Sequence, residues 1–252
     1  MDPAVQRTTE YDAINNGATR LLLKHAAASG VQRLVLFSTI AVYGKRAHVV
    51  ADEATVPSPD SPYSMSKLDA ERAVLEQEGP GGVPLAVVLR LAAVYGPRLK
   101  GNYRTLLEHL AAGRPMPLLP GSNRRTLVFD EDVAVASLLA AREARAAGRV
   151  FDVTDGTTHT LREIAASMCR ALGRQPPRFG LPAALAGAAV AAVRPALSGR
   201  LAALGAQVEK FTEDIAVDGN RIQAELGFVP RVSLDEGWRR TVAALRALGE
   251  IA

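Results

Sequence analysis

Tyr63 and Lys67 stand four residues apart in the run Tyr63-Ser64-Met65-Ser66-Lys67. On a helix that spacing puts both side chains on one face, one turn apart. An ammonium beside a phenol favours the phenolate and draws its pKa down from about 10. A tyrosine tuned in this way can exchange a proton with an alcohol or sugar hydroxyl. Alone, the pair is a weak motif, since any solvated helix face produces it by chance. Two other segments bear on it. Ser38 and Thr39 end an apolar run, and a hydroxyl at the carboxyl end of a parallel strand stands where α/β proteins bind ligands. Thr39 is therefore placed to hydrogen-bond a reacting hydroxyl or carbonyl; the plainer alternative is that both residues only terminate the strand. A second strand, in the run 89–98, ends in the tight turn Tyr95-Gly96-Pro97.

These residues need a scaffold, and the sequence supplies alternating helices and strands. Residues 11–29 read as a helix with Ile14, Leu21, Leu22 and Ala26 on one side and Gly30 as its stop. Residues 33–38 and 84–90 are continuous apolar runs, the mark of strands buried on both faces. Residues 63–78 and 102–112 read as helices, 126–129 as a short strand, and 130–147 as a helix that Asp130 could cap. Residues 149–155 form a third long strand. The alternation predicts an α/β fold with a parallel sheet over 1–155. From 156 onward the pattern is mainly helical: 160–173 with Thr158 or Thr160 as cap, an Ala-rich stretch over 181–206, and an amphipathic helix near the end in which Trp238 packs against the body.

Composition excludes several classes. The chain has 252 residues, 48% hydrophobic and 22% charged, which rules out disorder. Its net charge of +4 suits an anionic substrate, while the absence of a dense Lys/Arg block and an aromatic content of 5% argue against nucleic acid. Cys169 has no second thiol with which to form a disulfide or a metal cluster, so it reads as a buried packing residue of a protein in a reducing compartment. The four histidines are scattered without ligand spacing, so no metal site is expected. The longest uncharged run, 181–193, falls short of the ~20 residues that a membrane span needs.

The strand ending in Ser38-Thr39, the Val42-Tyr43-Gly44 after it, the Tyr63–Lys67 pair and the Leu89-Arg90…Val94-Tyr95-Gly96-Pro97 run come in a telling order. Together they resemble the extended short-chain dehydrogenase/reductase superfamily, and within it the NAD-dependent nucleotide-sugar epimerase/dehydratase family. Asn15 and Thr19 fall on that family's Asn-x-x-x-Thr pattern, and the tail is similar to UDP-hexose 4-epimerase-like enzymes of bacterial surface-polysaccharide synthesis. The resemblance implies a Rossmann-like parallel sheet over 1–155 and a C-terminal substrate-binding region over 156–252. It also implies NAD as cofactor, a nucleotide-sugar substrate, a cytoplasmic setting and a homodimer paired through the helices 11–29 and 63–78. In that family's terms Tyr63 takes the proton from the sugar 4-hydroxyl, Lys67 tunes Tyr63 and holds the nicotinamide ribose, and Thr39 positions the substrate oxygen. Ser38 and Leu91 border the cofactor; Leu91 replaces a proline common there. Asn102 falls at a substrate-binding asparagine, with a helix N-cap as its ordinary alternative. Arg125 is the candidate for the diphosphate; Arg124 is the other candidate, and both could equally be solvated loop charges.

A fold of this family opens with a strand, a Gly-rich turn and a helix, where the pyrophosphate meets backbone amides. No such turn follows a strand in this sequence; Gly79-Pro80-Gly81-Gly82 joins a helix to a strand instead. The expectation is a sheet truncated at its front, with an unpaired edge on strand 33–38, weak NAD binding and a tendency to associate. Within the superfamily a 4-keto-sugar reductase, a dehydratase and a hydroxysteroid-type dehydrogenase are alternatives, and so is a non-catalytic binding remnant. Ile40 and Ala41 stand where a dehydratase usually carries an acidic pair, which disfavours dehydration.

Overall fold

The computed structural model describes residues 8–45, 49–114, 122–176 and 214–251. Its centre is a parallel sheet of three strands, β1 (Leu34–Thr39), β3 (Ala86–Leu91) and β6 (Val150–Val153), in the order β1-β3-β6. Between β1 and β3 in the chain lie a short β2 (Val50–Ala51) and the helix α2 (Pro62–Leu75); β4 (Ala93–Tyr95), α3 (Gly101–Ala111), β5 (Arg124–Phe129) and α4 (Asp130–Arg142) separate β3 from β6. The N-terminal helix has a π-helical part, Asp12–Gly17, that runs into α1 (Ala18–Ala28).

β3 is central and buried along its length except at Leu91, which explains why its sequence is apolar without alternation. Leu34 of β1 aligns with Ala86, Ser38 with Arg90 and Thr39 with Leu91; β6 continues the rows, with Asp152 beside Arg90 and Val153 beside Leu91. Leu36, Ala86 and Val88 pack against Ala70, Ala73 and Val74 of α2. On the opposite face, Val87, Leu89, Phe151 and Val153 join Ala136 and Ala140 of α4 and Ile222, Leu226 and Phe228 from the C-terminal part. The three strands thus sit between helices, as expected.

Two further elements follow β6: β7 (Thr158–Thr160), antiparallel to β5, and α5 (Leu161–Leu172). Thr160 rather than Thr158 caps α5, in a capping box with Glu163. After them come β8 (Ala216–Val217), α6 (Asn220–Leu226) and α7 (Leu234–Ala247). Trp238 of α7 is fully buried and stacks on Tyr95, and Cys169 is buried in the same core, both in the packing roles read from sequence. The Ala-rich stretch beyond 176 lies outside the described residues. Among the described residues no helix is long and apolar enough to cross a membrane.

Two details differ from the sequence reading. Asp130 does not cap α4; it is the first helical residue, and Phe129 holds the cap position. Ile14, Leu21 and Leu22 are exposed, and Leu23 is the buried residue of α1. Helical spacing gathers apolar residues on one side, but it does not say that something covers that side.

Candidate active site

α2 starts where its sequence tells it to. Ser61 caps the helix in a capping box with Ser64, and Pro62 occupies the first turn, where its missing N–H costs nothing. Tyr63 is thereby fixed at the helix mouth, Lys67 one turn on and Glu71 one turn further. Asn15 in the π-helical turn donates from Nδ2 to Ser66 Oγ at 3.0 Å, tying the N-terminal helix to α2. The ring of Tyr11 meets that of Tyr63 edge-on at 5.6 Å.

At the tip of β1, Thr39 ends the strand and its Oγ1 accepts the Ala41 amide at 3.2 Å, opening the 3-10 turn Ile40–Tyr43. Thr39 is also near enough to the Tyr63 phenol to draw its pKa down. Lys67 donates from Nζ to the Phe37 carbonyl at 2.9 Å. The geometry of a parallel strand accounts for that contact. Leu34 gives its amide to Leu85, so the even residues of β1 turn their backbone groups towards β3 and the odd ones turn theirs outward. Phe37 is an outward residue on the edge strand, and its side chain is 46% exposed. Lys67 therefore covers one carbonyl on the outward side of β1, the outer strand of the sheet among the described residues.

The electrostatics depart from the simple pairing. The Tyr63 pKa stands above its usual value because burial raises it, against the Thr39 hydroxyl, which lowers it; the Tyr11 phenol adds a smaller push upward. Lys67 is not among those causes; its ammonium donates to the Phe37 carbonyl. Lys67 itself is lowered by burial, and Glu71 opposes that shift.

Ser38, expected at the cofactor, faces elsewhere. Successive strand residues point to opposite faces, so Ser38 is buried under α2 and its hydroxyl donates to Glu71 Oε1. Leu91 is at the strand tip beside Thr39. Asn102 and Arg125 belong to different elements, α3 and β5. Lys100 holds the cap of α3, so the N-cap alternative for Asn102 fails; Asn102 is the second helical residue and exposed. Arg124 and Arg125 are strand residues rather than loop charges: Arg125 is paired with His159 of β7 and lies beside the buried Tyr103 phenol, and the Arg124 amide donates to Asp214 at 2.7 Å.

A buried network adjoins the site and escaped the sequence reading. Glu71, 1% exposed, accepts from Arg90 Nη2 at 2.7 Å and Nε at 3.1 Å. Arg90, 5% exposed, donates from Nη1 to the Tyr43 hydroxyl at 2.9 Å, and Tyr43 donates to Asp152 Oδ2 at 2.7 Å. The Asp152 amide in turn donates to Glu53 at 2.7 Å. Charged residues inside otherwise apolar strands were the available signal: Arg90 within Ala86–Leu91 and Asp152 within Val150–Val153.

A hydroxyl, a phenol and an ammonium gathered at the carboxyl end of a parallel sheet define an α/β protein of the kind that binds its ligand at the strand tips. Comparison with known proteins narrows this. The profile of the NAD dependent epimerase/dehydratase family matches residues 3–154, and the chain belongs to that family. It is 29% identical over 248 residues to a UDP-glucose 4-epimerase of Vibrio cholerae, covering 96% of this chain and 72% of that one. A dTDP-glucose 4,6-dehydratase of Streptomyces griseus is 31% identical over 256 residues, covering 96% and 67%. Among solved structures, the Bordetella bronchiseptica enzyme WbmG, crystallised with NAD and UDP, aligns with a TM-score of 0.72 at 23% identity over 95% of this chain and 68% of that one, a likeness of fold.

The donor set fits the nicotinamide–ribose end of NAD: Thr39 and Tyr63 bring hydroxyls to the tip of β1, and Lys67 brings an ammonium to the same strand. Among the described residues, Gly81 and Gly82 have the positive φ of a tight turn, but that turn leads into β3 rather than out of a strand tip, so it does not offer a pyrophosphate cradle.

Proposed function

We propose that this protein epimerises a nucleotide-diphosphate sugar by transient oxidation at C4, in the manner of a UDP-hexose 4-epimerase. The observation that carries the proposal is the gathering of Thr39, at the tip of β1, and Tyr63, at the start of α2, with Lys67 one turn along α2 and bonded to the Phe37 carbonyl of β1. The similarity to the Vibrio cholerae epimerase supports the substrate class.

Tyr63 acts as the base on the sugar 4-hydroxyl. Thr39 holds the same oxygen and stabilises the phenolate, working against the upward pull of burial. Lys67 fixes the ribose hydroxyls of the bound dinucleotide. A bound NAD would supply the two-electron acceptor for C4; once the 4-keto sugar has turned over in the site and been reduced on its other face, Tyr63 gives its proton back to the C4 oxygen. Arg125 takes the diphosphate, as a guanidinium can grip two of its oxygens, and Asn102 contacts the nucleotide sugar from the mouth of α3. Two copies of the chain pair through the exposed apolar side of the N-terminal helix.

The test is turnover of UDP-glucose to UDP-galactose by the full chain with NAD in excess. Removing a general base costs about 10²–10⁴-fold, so Tyr63→Phe is expected to lose that factor in kcat while retaining the parent's thermal midpoint. Equal turnover by parent and variant rejects the role.

A further inference from the structure

We propose that Glu71 and Arg90 are a positioning pair: through them a buried carboxylate locks the tip of β1 to α2 and holds Lys67 in its working state, without touching substrate. The inference rests on the reading of Tyr63 and Lys67 given above, and it deepens that reading.

The geometry begins in the strand register. Ser38 of β1, Arg90 of β3 and Asp152 of β6 are direct neighbours, so their side chains form one polar row across the sheet on the face covered by α2. The row lies one residue before the tips, where Thr39, Leu91 and Val153 stand. Glu71 comes down onto it from α2, its Oε1 accepting the Ser38 hydroxyl and both oxygens accepting Arg90. One carboxylate thus pins the residue next to Thr39. On its own helix Glu71 follows Lys67 by four positions and Tyr63 by eight, on the same face.

The charge balance points the same way. Burial, and then the nearby Glu53, push the Asp152 carboxyl up to about 8, so near neutral pH it is mostly the uncharged acid. The Arg90 charge is left to Glu71. A buried ion pair is a weak source of stability, because desolvation offsets most of the attraction. Its charge reaches Lys67, however: burial favours the neutral amine there and Glu71 favours the ammonium. The Lys67 ammonium itself meets the Phe37 carbonyl on β1, Tyr63 with Tyr11 beside it stands one turn back on the same helix, and the Arg90 guanidinium is held by Glu71 and Tyr43. Arg20, Lys24 and His25 of the neighbouring α1 are exposed.

The measurement is the pH dependence of Lys67 acetylation by trace acetic anhydride, read by mass spectrometry on the full chain with no substrate or NAD. Glu71→Gln is expected to move the Lys67 midpoint down by about one pH unit, making the amine roughly tenfold more reactive below that midpoint. Glu71→Asp, which keeps the charge, is expected to move it by less, and Asp69→Asn, on the exposed side of α2, to leave it in place. If Glu71→Gln does not fold, the downward shift in Glu71→Asp decides. An unchanged midpoint in the Glu71 variants, or an equal shift in Asp69→Asn, overturns the inference. Because no turnover is involved, this result stands apart from the fate of Tyr63→Phe: a normal Tyr63→Phe would end the functional proposal and leave the titration of Lys67 as measured.

Discussion

Asp152 shows how far a single buried carboxyl departs from its solution behaviour. Its folded value is raised from 3.8 to about 8, chiefly by burial and then by Glu53. Between those two values the folded chain keeps a proton that the unfolded chain has released. Stability therefore falls as pH rises through that window and levels off above it. Asp152→Asn carries a neutral side chain of the same shape that still accepts from Tyr43. It is expected to lose that slope, so its thermal midpoint should drop less than the parent's between about pH 5 and pH 8. Parallel pH profiles for the two chains would contradict the assignment. At this scale the sequence was partly legible. Tyr63, Lys67 and Thr39 could be found because helix spacing and strand ends are local properties. The network of Glu71, Arg90 and Asp152 could not: the charges inside β3 and β6 are visible in the sequence, but the contacts join residues 19 to 109 positions apart, and only the strand register brings them together. For Tyr63, proximity to Lys67 argues for a lowered phenol, while desolvation at the helix mouth, visible only in the fold, acts in the opposite direction.

Among the elements, the N-terminal helix is the one whose surface asks for a neighbour. Ile14, Leu21 and Leu22 are exposed on it, and Met65 is exposed on the adjoining α2. Fully covering one leucine is worth about 1.5–3 kcal/mol. A second copy laid along this side gives each chain that gain, and a charge there removes it. Leu22→Lys is expected to shift sedimentation from dimer towards monomer, weakening association at least tenfold, with the thermal midpoint of the monomer unchanged because Leu22 is already exposed. A parent that sediments as a monomer at high concentration would contradict pairing through this helix. The element types were readable from sequence because capping and periodicity are written locally: Ser61-Pro62 opens α2, Thr160 with Glu163 opens α5, and the apolar runs at β1 and β3 are strands. The π-helical turn at Asp12–Gly17 and the strand character of Arg124 and Arg125 were not, since both are set by what lies alongside: α2 in the first case, β7 in the second.

Across the whole molecule, the sheet order β1-β3-β6 leaves β1 as the outer strand, with its odd-numbered backbone groups turned away from β3 and Lys67 on one of them. The chemistry sits at that edge. The tip of β1 supplies Thr39, the helix after it supplies Tyr63 and Lys67, and the polar row behind them sets their place. The proposed chemistry, oxidation of a sugar hydroxyl coupled to hydride transfer, is tested with NAD in excess. The direct test is to supply UDP-glucose deuterated at sugar C4, with excess NAD, and to locate the label in the epimerised product. Oxidation and return at C4 predict UDP-galactose that keeps its deuterium at C4, formed more slowly than from the unlabelled sugar. Product that has exchanged the label for solvent hydrogen, or deuterated substrate left unconverted by the full chain, would contradict the proposed chemistry.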